Sequence, residues 1–263
     1  MPPRRSSAPP RAVLLDVDGT LVDSNDAHAR AWVETFDEFG YDIPFERVRP
    51  LIGMGGDKLI PAVLGISADS DEGKRLSERR GKIFRERHLP TVRPFPQAST
   101  LLERMMREGL TLVIATSAKG EELTGLLRAG GLEGMFDDAV TNSDVDGSKP
   151  DPDVIQAALE RAKCQPSEAV MLGDTPYDVE AALKAGVRVV GVRSGGWGDA
   201  DLGGASAIYD DAADLLAHYE ESPLGPRGVT LADAPPQRGG GSKRGEEAKR
   251  APRAAAPPES RGL

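Results

Sequence analysis

The chain has 263 residues, with 33 Lys plus Arg against 42 Asp plus Glu and a formal net charge of −9. Its length suits one large domain or two unequal ones, and its acidity argues against a general nucleic-acid binder, whose footprint is basic. A single cysteine, Cys164, excludes an internal disulfide and an all-cysteine zinc site. The charge is uneven: residues 1–11 carry +3, residues 224–263 carry +4, and the span between them therefore holds −16. A carboxylate excess there suits a protein that holds cations.

Residues 1–11 and 221–263 are low in complexity. Residues 224–263 include 13 Gly or Pro and no aromatic, too little apolar surface to offset ordering entropy, so both ends are expected to be disordered. The first apolar run, from Ala12 to Leu15, is too short for a signal-peptide core, and no stretch approaches the roughly 18 apolar residues of a membrane helix. The expectation is a cytoplasmic protein with no membrane or nucleic-acid partner.

Between the tails, short apolar runs alternate with helical patterns. Strands are predicted at 12–16, 110–116, 138–140, 169–172 and 187–192, with helices at 97–108, 121–128, 152–163 and 176–184. Continuous Val/Leu/Ile runs mark strands covered on both faces, which predicts a doubly wound parallel sheet in an α/β domain. From 26 to 90 the alternation breaks into helical patterns alone. Asn25 or Asp26 can cap a helix that buries Trp32, Val33, Phe36 and Phe39 and ends at Gly40. Further helices fit 45–51, 57–64 and 71–87. The division expected is a core of 12–22 and 92–220 with a helical cap inserted at 23–91.

Ligands of open α/β sheets bind beyond the carboxyl ends of the strands. There the first strand offers Asp16 and Asp18, the second Thr116 and Ser117, and the fourth Asp174 and Asp178, while Lys149 follows the third after a loop. Converging carboxylates raise one another's pKa unless a counter-charge is present, and an all-oxygen ligand set favours Mg²⁺. Mg²⁺ usually binds through one or two carboxylates plus a substrate phosphate, so the implied substrate is a phosphate ester. Asp16 is placed to attack phosphorus. Asp18 would act as acid and then base, its main-chain carbonyl also serving the metal. Lys149 would hold the nucleophile's charge beside the phosphoryl group, Thr116 would bond a phosphoryl oxygen with the Ser117 and Ala118 amides nearby, and Asp174 and Asp178 would anchor the metal with Asp16 and Asp18 completing its ligand set. Asp178 also completes a helix-capping pattern with Thr175.

These segments resemble a known family. Asp16-Val17-Asp18-Gly19-Thr20-Leu21-Val22-Asp23-Ser24 is similar to the first motif of the haloacid dehalogenase-like (HAD) hydrolase superfamily. Thr116 matches its second motif, Ser148-Lys149-Pro150 its third, and Gly173-Asp174-Thr175-Pro176-Tyr177-Asp178 its fourth. The resemblance spans roughly 12–218 and implies a Rossmann-like core, an aspartyl-phosphate mechanism and Mg²⁺. The insertion after the first motif resembles the cap of the phosphoglycolate phosphatase and β-phosphoglucomutase branch. The third motif departs from the usual Gly-Lys-Pro, because Ser148 follows Gly147. The expected activity is a phosphatase acting on a small phosphorylated metabolite, with a phosphomutase as the alternative. Dehalogenases of the superfamily typically lack an aspartate at the position of Asp18 and the paired metal acids; both are present here, which disfavours dehalogenation.

In the cap, Leu51-Ile52-Gly53-Met54-Gly55-Gly56-Asp57-Lys58 is a glycine-rich loop flanked by Arg49 and Lys58. Arg49, Gly53 and Lys58 are the candidate substrate contacts. His28 reads as structural or exposed, Cys164 as an inert thiol and Trp197 as a packed loop aromatic.

Overall fold

A computed structural model describes residues 9–226 of the chain; the tails 1–8 and 227–263, for which disorder is expected, lie outside the described residues. Strand β1 (Ala12–Leu15) is followed by a two-residue β2 (Val22–Asp23) and by helices α1 (Asn25–Glu38), α2 (Phe45–Val48), α3 (Gly56–Leu64) and α4 (Asp71–Ile83). The chain then alternates through β3 (Arg93–Pro94), α5 (Ala98–Arg107), β4 (Thr111–Ala115), α6 (Gly120–Gly130), β5 (Asp138–Val140) and α7 (Asp153–Ala162). It closes with β6 (Ala169–Gly173), α8 (Pro176–Lys184), β7 (Arg188–Val192), β8 (Ala207–Tyr209) and α9 (Ala212–Ala217).

Six strands form one sheet in the order β5-β4-β1-β6-β7-β8, every pairing parallel. Alternate residues of each strand enter opposite cores, as the two-residue side-chain period requires. Val13, Leu15, Leu112, Ile114, Val170 and Leu172 pack with Leu101, Leu102 and Met105 of α5, Leu126 of α6 and Leu215 of α9. Leu14, Val113, Ala115 and Met171 pack on the other face with Ile155 and Ala158 of α7 and Ala181 of α8. This double cover is why the central strands read as unbroken apolar runs. Among the described residues, no helix is long and apolar enough to cross a membrane.

Two features are additional to the predicted elements. Edge strand β8 with helix α9 extends the sheet, and β2 pairs antiparallel with β3 through Val22–Pro94 and Asp23–Arg93. The second pairing ties together the two chain segments that lead into and out of the helical insertion. Residues past 220 continue to pack, with Ser222 and Leu224 buried against the core.

The insertion has its own apolar cluster of Trp32, Phe36, Val48, Leu59, Ile60 and Leu76. Helix α1 is preceded by Ser24 rather than Asn25 at its cap position, yet the Ser24 hydroxyl makes no capping bond. It reaches instead to Asp18 Oδ1 at 2.5 Å. The helix predicted over 71–87 stops at Ile83 and widens into one π-type turn over Phe84–His88.

Candidate active site

Asp16, Thr116 and Asp174 directly follow or end the neighbouring strands β1, β4 and β6, so chain topology alone brings them to one edge of the sheet. Carboxylate oxygens of Asp16, Asp174 and Asp178 all lie within 4.8 Å of one another. The fully buried Lys149 points into this group, its Nζ 2.6 Å from Asp16 Oδ1 and 2.6 Å from Asp178 Oδ1. Asp178 is held at the start of α8 by a reciprocal cap. Its Oδ2 accepts from the Thr175 amide at 3.0 Å and hydroxyl at 2.6 Å, while Thr175 Oγ1 accepts from the Asp178 amide. Asp174 accepts hydrogen bonds from Thr20 Oγ1 at 3.0 Å and Asn25 Nδ2 at 2.9 Å. Glycine is required around it: a Cβ on Gly195 would fall 1.6 Å from Asp174 Oδ2, and one on Gly19, whose φ is +80°, 2.2 Å away.

Three buried carboxylates therefore face one ammonium. Burial drives the Asp16 pKa well above the usual carboxylate range against the opposing pull of Lys149, and Asp178, Asp174 and Asp18 add to the rise. Burial and the Asp178 charge push Asp174 up to about 8. Burial favours the neutral form of Lys149, but the facing Asp16 and Asp178 carboxylates outweigh it and raise its pKa. The cluster is short of positive charge and offers only oxygen donors, which fits a hard divalent cation such as Mg²⁺. Asp16, Asp174 and Asp178 are the residues that would hold it.

Asp18 turns away from this cluster toward the insertion. Its Oδ1 accepts from Ser24 Oγ and meets His28 Nε2 at 2.7 Å. Burial alone would raise its pKa; the His28 and Ser24 contacts and the Arg80 charge outweigh that, and the net shift is downward. His28 is 3 % exposed and stacks on Phe84 at 4.0 Å between ring centroids. Arg80 Nη2 lies 2.5 Å from His28 Nδ1, and Arg80 Nη1 lies 2.7 and 2.6 Å from the two carboxylate oxygens of Glu122 on core helix α6.

The sequence analysis read His28 as structural or exposed, whereas it is buried against Asp18, and it did not single out Arg80 or Glu122. The signal was an interrupted stripe. His28 occupies the helical face of Trp32 and Phe36, and Arg80 sits between Leu76 and Phe84 on the buried side of its own helix. A polar residue on such a stripe needs a partner, and the partner defines its role.

Among the remaining candidates, the Thr116 hydroxyl accepts from the Ala118 amide at 3.0 Å, which leaves its proton free to donate. Ser117 Oγ donates to the Gly53 carbonyl at 3.0 Å, joining the core to the insertion's glycine loop. Gly53 lines the cavity above Asp16, Asp18, Thr116 and Ser117. Arg49 and Lys58 do not line it. Arg49 is bound to Asp26 Oδ1 at 2.6 Å and the Gly195 carbonyl at 2.7 Å, and Lys58 to Asp151 Oδ2 at 2.5 Å. Both charges tie the insertion to the core or to itself and are unavailable to a substrate in this arrangement. Ser148 does similar work, accepting from the Gly55 amide at 3.1 Å.

Residues 13–192 match the family model described as haloacid dehalogenase-like hydrolase. The chain belongs to that family. The pyrophosphatase PpaX of Bacillus velezensis is 33 % identical to this hydrolase over 182 residues, 69 % of this chain and 82 % of that protein. The phosphoglycolate phosphatase of Nitrosospira multiformis is 32 % identical over 71 % of this chain and 85 % of its own. The solved structure of a putative β-phosphoglucomutase from Bacteroides vulgatus superposes with a TM-score of 0.72 at 27 % identity, covering 82 % of this chain and 89 % of that one. This hydrolase is an enzyme of the HAD-like phosphatase kind.

Proposed function

We propose that this hydrolase is a Mg²⁺-dependent phosphatase that splits a small phosphate monoester through an aspartyl-phosphate intermediate. The observation that carries the reading is the buried Lys149, bonded at 2.6 Å to Asp16 and at 2.6 Å to Asp178, beside an Asp174 pushed up to about 8. An ion pair this deep is poor economy for stability alone and suits a site that must hold several charges at once. Relatives named for action on phosphate compounds support the same class of substrate.

When bound, Mg²⁺ supplies Lewis-acid neutralisation of the phosphoryl oxygens. The chain's own residues do the rest. Asp16 attacks phosphorus with the carboxylate oxygen not engaged by Lys149, and the ester P–O bond breaks as the acyl phosphate forms. Lys149 neutralises Asp16 and then the phosphoryl group it carries. Thr116 Oγ1 donates to a phosphoryl oxygen. Asp18 is ionised before substrate arrives; a phosphate dianion brought beside it pushes its pKa back up, so that it binds a proton from solvent and passes it to the leaving oxygen as the ester bond breaks. Left as carboxylate, Asp18 then takes a proton from the water that hydrolyses the intermediate. The insertion acts as a cap that excludes bulk water.

Phosphate release from a panel of small esters, measured with Mg²⁺ and with chelator, tests the reading. Asp16→Asn should abolish release while preserving the thermal transition. Full turnover in that variant, or equal release in chelator, overturns it. Isomerised sugar phosphate without net phosphate release would point to the mutase instead.

A further inference from the structure

We propose that Asn25, the first residue of the insertion's first helix, is a positioning residue for the metal ligand Asp174, so that the insertion as well as the core sets how tightly Mg²⁺ is held; the inference rests on the metal-dependent reading above. A carboxylate turns easily about its last side-chain bond unless both oxygens are held. In Asp174 both are. Thr20 Oγ1 donates to Oδ1 at 3.0 Å from the core side, and Asn25 Nδ2 donates to Oδ2 at 2.9 Å from α1. With one donor on each oxygen the carboxylate plane is fixed, and each oxygen keeps a further lone pair to offer a cation. Without the Asn25 donor, one end of Asp174 is free to turn out of the cluster it forms with Asp16 and Asp178.

The Asn25 amide makes this contact although its other end is unmet. The residue is 2 % exposed. A carboxylate oxygen only accepts, so the end that faces Asp174 is the NH2 group, and Oδ1 is left buried with no partner among the described residues. An unmet buried acceptor offsets what one hydrogen bond contributes, so fold stability does not account for this asparagine. The carboxylate it holds does.

The first turn of α1 also reaches Asp174 by a second route. Arg49 Nε donates to Asp26 Oδ1 at 2.6 Å, and Arg49 Nη2 donates to the Gly195 carbonyl at 2.7 Å. Gly195 forms the wall behind Asp174 Oδ2, where a Cβ would fall 1.6 Å away, and a Cβ on Gly19 would fall 2.1 Å from Asn25 Nδ2. The amide and the carboxylate can meet only because both positions are glycine. Asn25 thus holds one oxygen of the ligand, and Arg49 holds the wall against which that oxygen rests. Partners one step removed from a metal typically carry about 10–100-fold in its affinity.

Isothermal titration of the full-length protein with MgCl2 reads the effect without substrate or turnover. Asn25→Leu removes the donor and the unmet acceptor together in similar volume and should raise the Mg²⁺ dissociation constant by about tenfold or more. Arg49→Met should raise it as well. Lys58→Met, which breaks a tie to Asp151 that does not touch Asp174, should leave it unchanged. At saturating Mg²⁺ the kcat of Asn25→Leu on p-nitrophenyl phosphate should return to the wild-type range, because Asn25 stands outside the lining of the substrate cavity. Should Asn25→Leu fail to fold, Asn25→Ser carries the same expectation, since its hydroxyl is too short to reach Asp174 and suits a helix start. An unchanged constant in folded Asn25→Leu or Arg49→Met, an equal rise in Lys58→Met, or a kcat that metal does not restore overturns the inference and leaves the phosphatase reading standing. Wild-type protein that binds no Mg²⁺ overturns both.

Discussion

Replacing Lys149 by Met tests the electrostatic logic of the site at its centre. The ammonium is fully buried and lies 2.6 Å from each of two carboxylates, with a third within 4.8 Å of both. Methionine fills similar space but removes the only positive charge that, among the described residues, contacts Asp16 and Asp178. Breaking one side of a buried pair costs about 3–5 kcal/mol. For a domain of this size about 2–4 °C of melting temperature corresponds to each kcal/mol, so a fall of about 6–20 °C is expected at pH 8 in chelator. The deficit should shrink at lower pH. Without Lys149 the carboxylates have still higher pKa values in the folded state, the folded state then binds more protons than the unfolded one, and acid stabilises it relative to pH 8. Added Mg²⁺ should recover part of the loss for the same reason, yet phosphate release should stay below a thousandth of wild type, about the scale of losing a charge-stabilising group in a closed site. Differential scanning calorimetry at pH 6 and 8, with and without Mg²⁺, reads these effects. A melting temperature unchanged at pH 8, or a deficit that grows toward pH 6, refutes the reasoning.

Three further outcomes follow from the same geometry. In chelator, wild-type melting temperature should fall as pH rises between about 4 and about 8, because the folded pKa of Asp174, pushed up to about 8, lies above its unfolded value and that of Asp16 is also raised; stabilisation by Mg²⁺ should be larger at pH 8 than at pH 6, as protons no longer compete for the ligands. His28→Phe keeps the stack on Phe84 and deletes a contact that lowers the Asp18 pKa, so the acidic limb of the kcat/KM–pH profile should move to higher pH, with kcat reduced by up to about 100-fold; an unmoved limb contradicts the link. Gly195→Ala places a Cβ 1.6 Å from Asp174 Oδ2 and must displace that carboxylate, so the Mg²⁺ concentration for half-maximal activity should rise by about tenfold or more; an unchanged Mg²⁺ titration contradicts the role given to Asp174.

The sheet was legible where burial is symmetrical. Strands β1, β4, β6 and β7 are enclosed on both faces and spell apolar runs, and the edge strand β5 retains Ala139-Val140. Strand β8 is three residues long with Ile208 and Tyr209 only half-buried, so local sequence carries little trace of it. The β2–β3 pair is still shorter, and its partners are seventy residues apart in the chain. Asp16, Thr116 and Asp174 were legible for a different reason: parallel strands with adjacent tips bring their following residues together whatever the side chains are, and Asp178 is fixed by a cap readable in four consecutive residues.

Charged residues of the insertion were not legible, and the failure has one physical origin. Arg49, Lys58 and Arg80 are all basic and all come from the same helical segment. Which of them faces a substrate depends on which acidic group stands opposite, and those groups, Asp26, Asp151 and Glu122, are 23, 93 and 42 positions away. The glycine loop drew attention to its two flanking cations, but that loop approaches the core closely, so its flanks become ties across the contact. Arg80 lies on an apolar helical face, where an unpaired guanidinium is untenable. Its placement there already demanded a buried carboxylate nearby, and that carboxylate, Glu122, came with the α6 turn that follows Thr116. The buried guanidinium and the carboxylate that pairs with it are therefore supplied by opposite sides of the same contact, so neither segment read alone shows the pair.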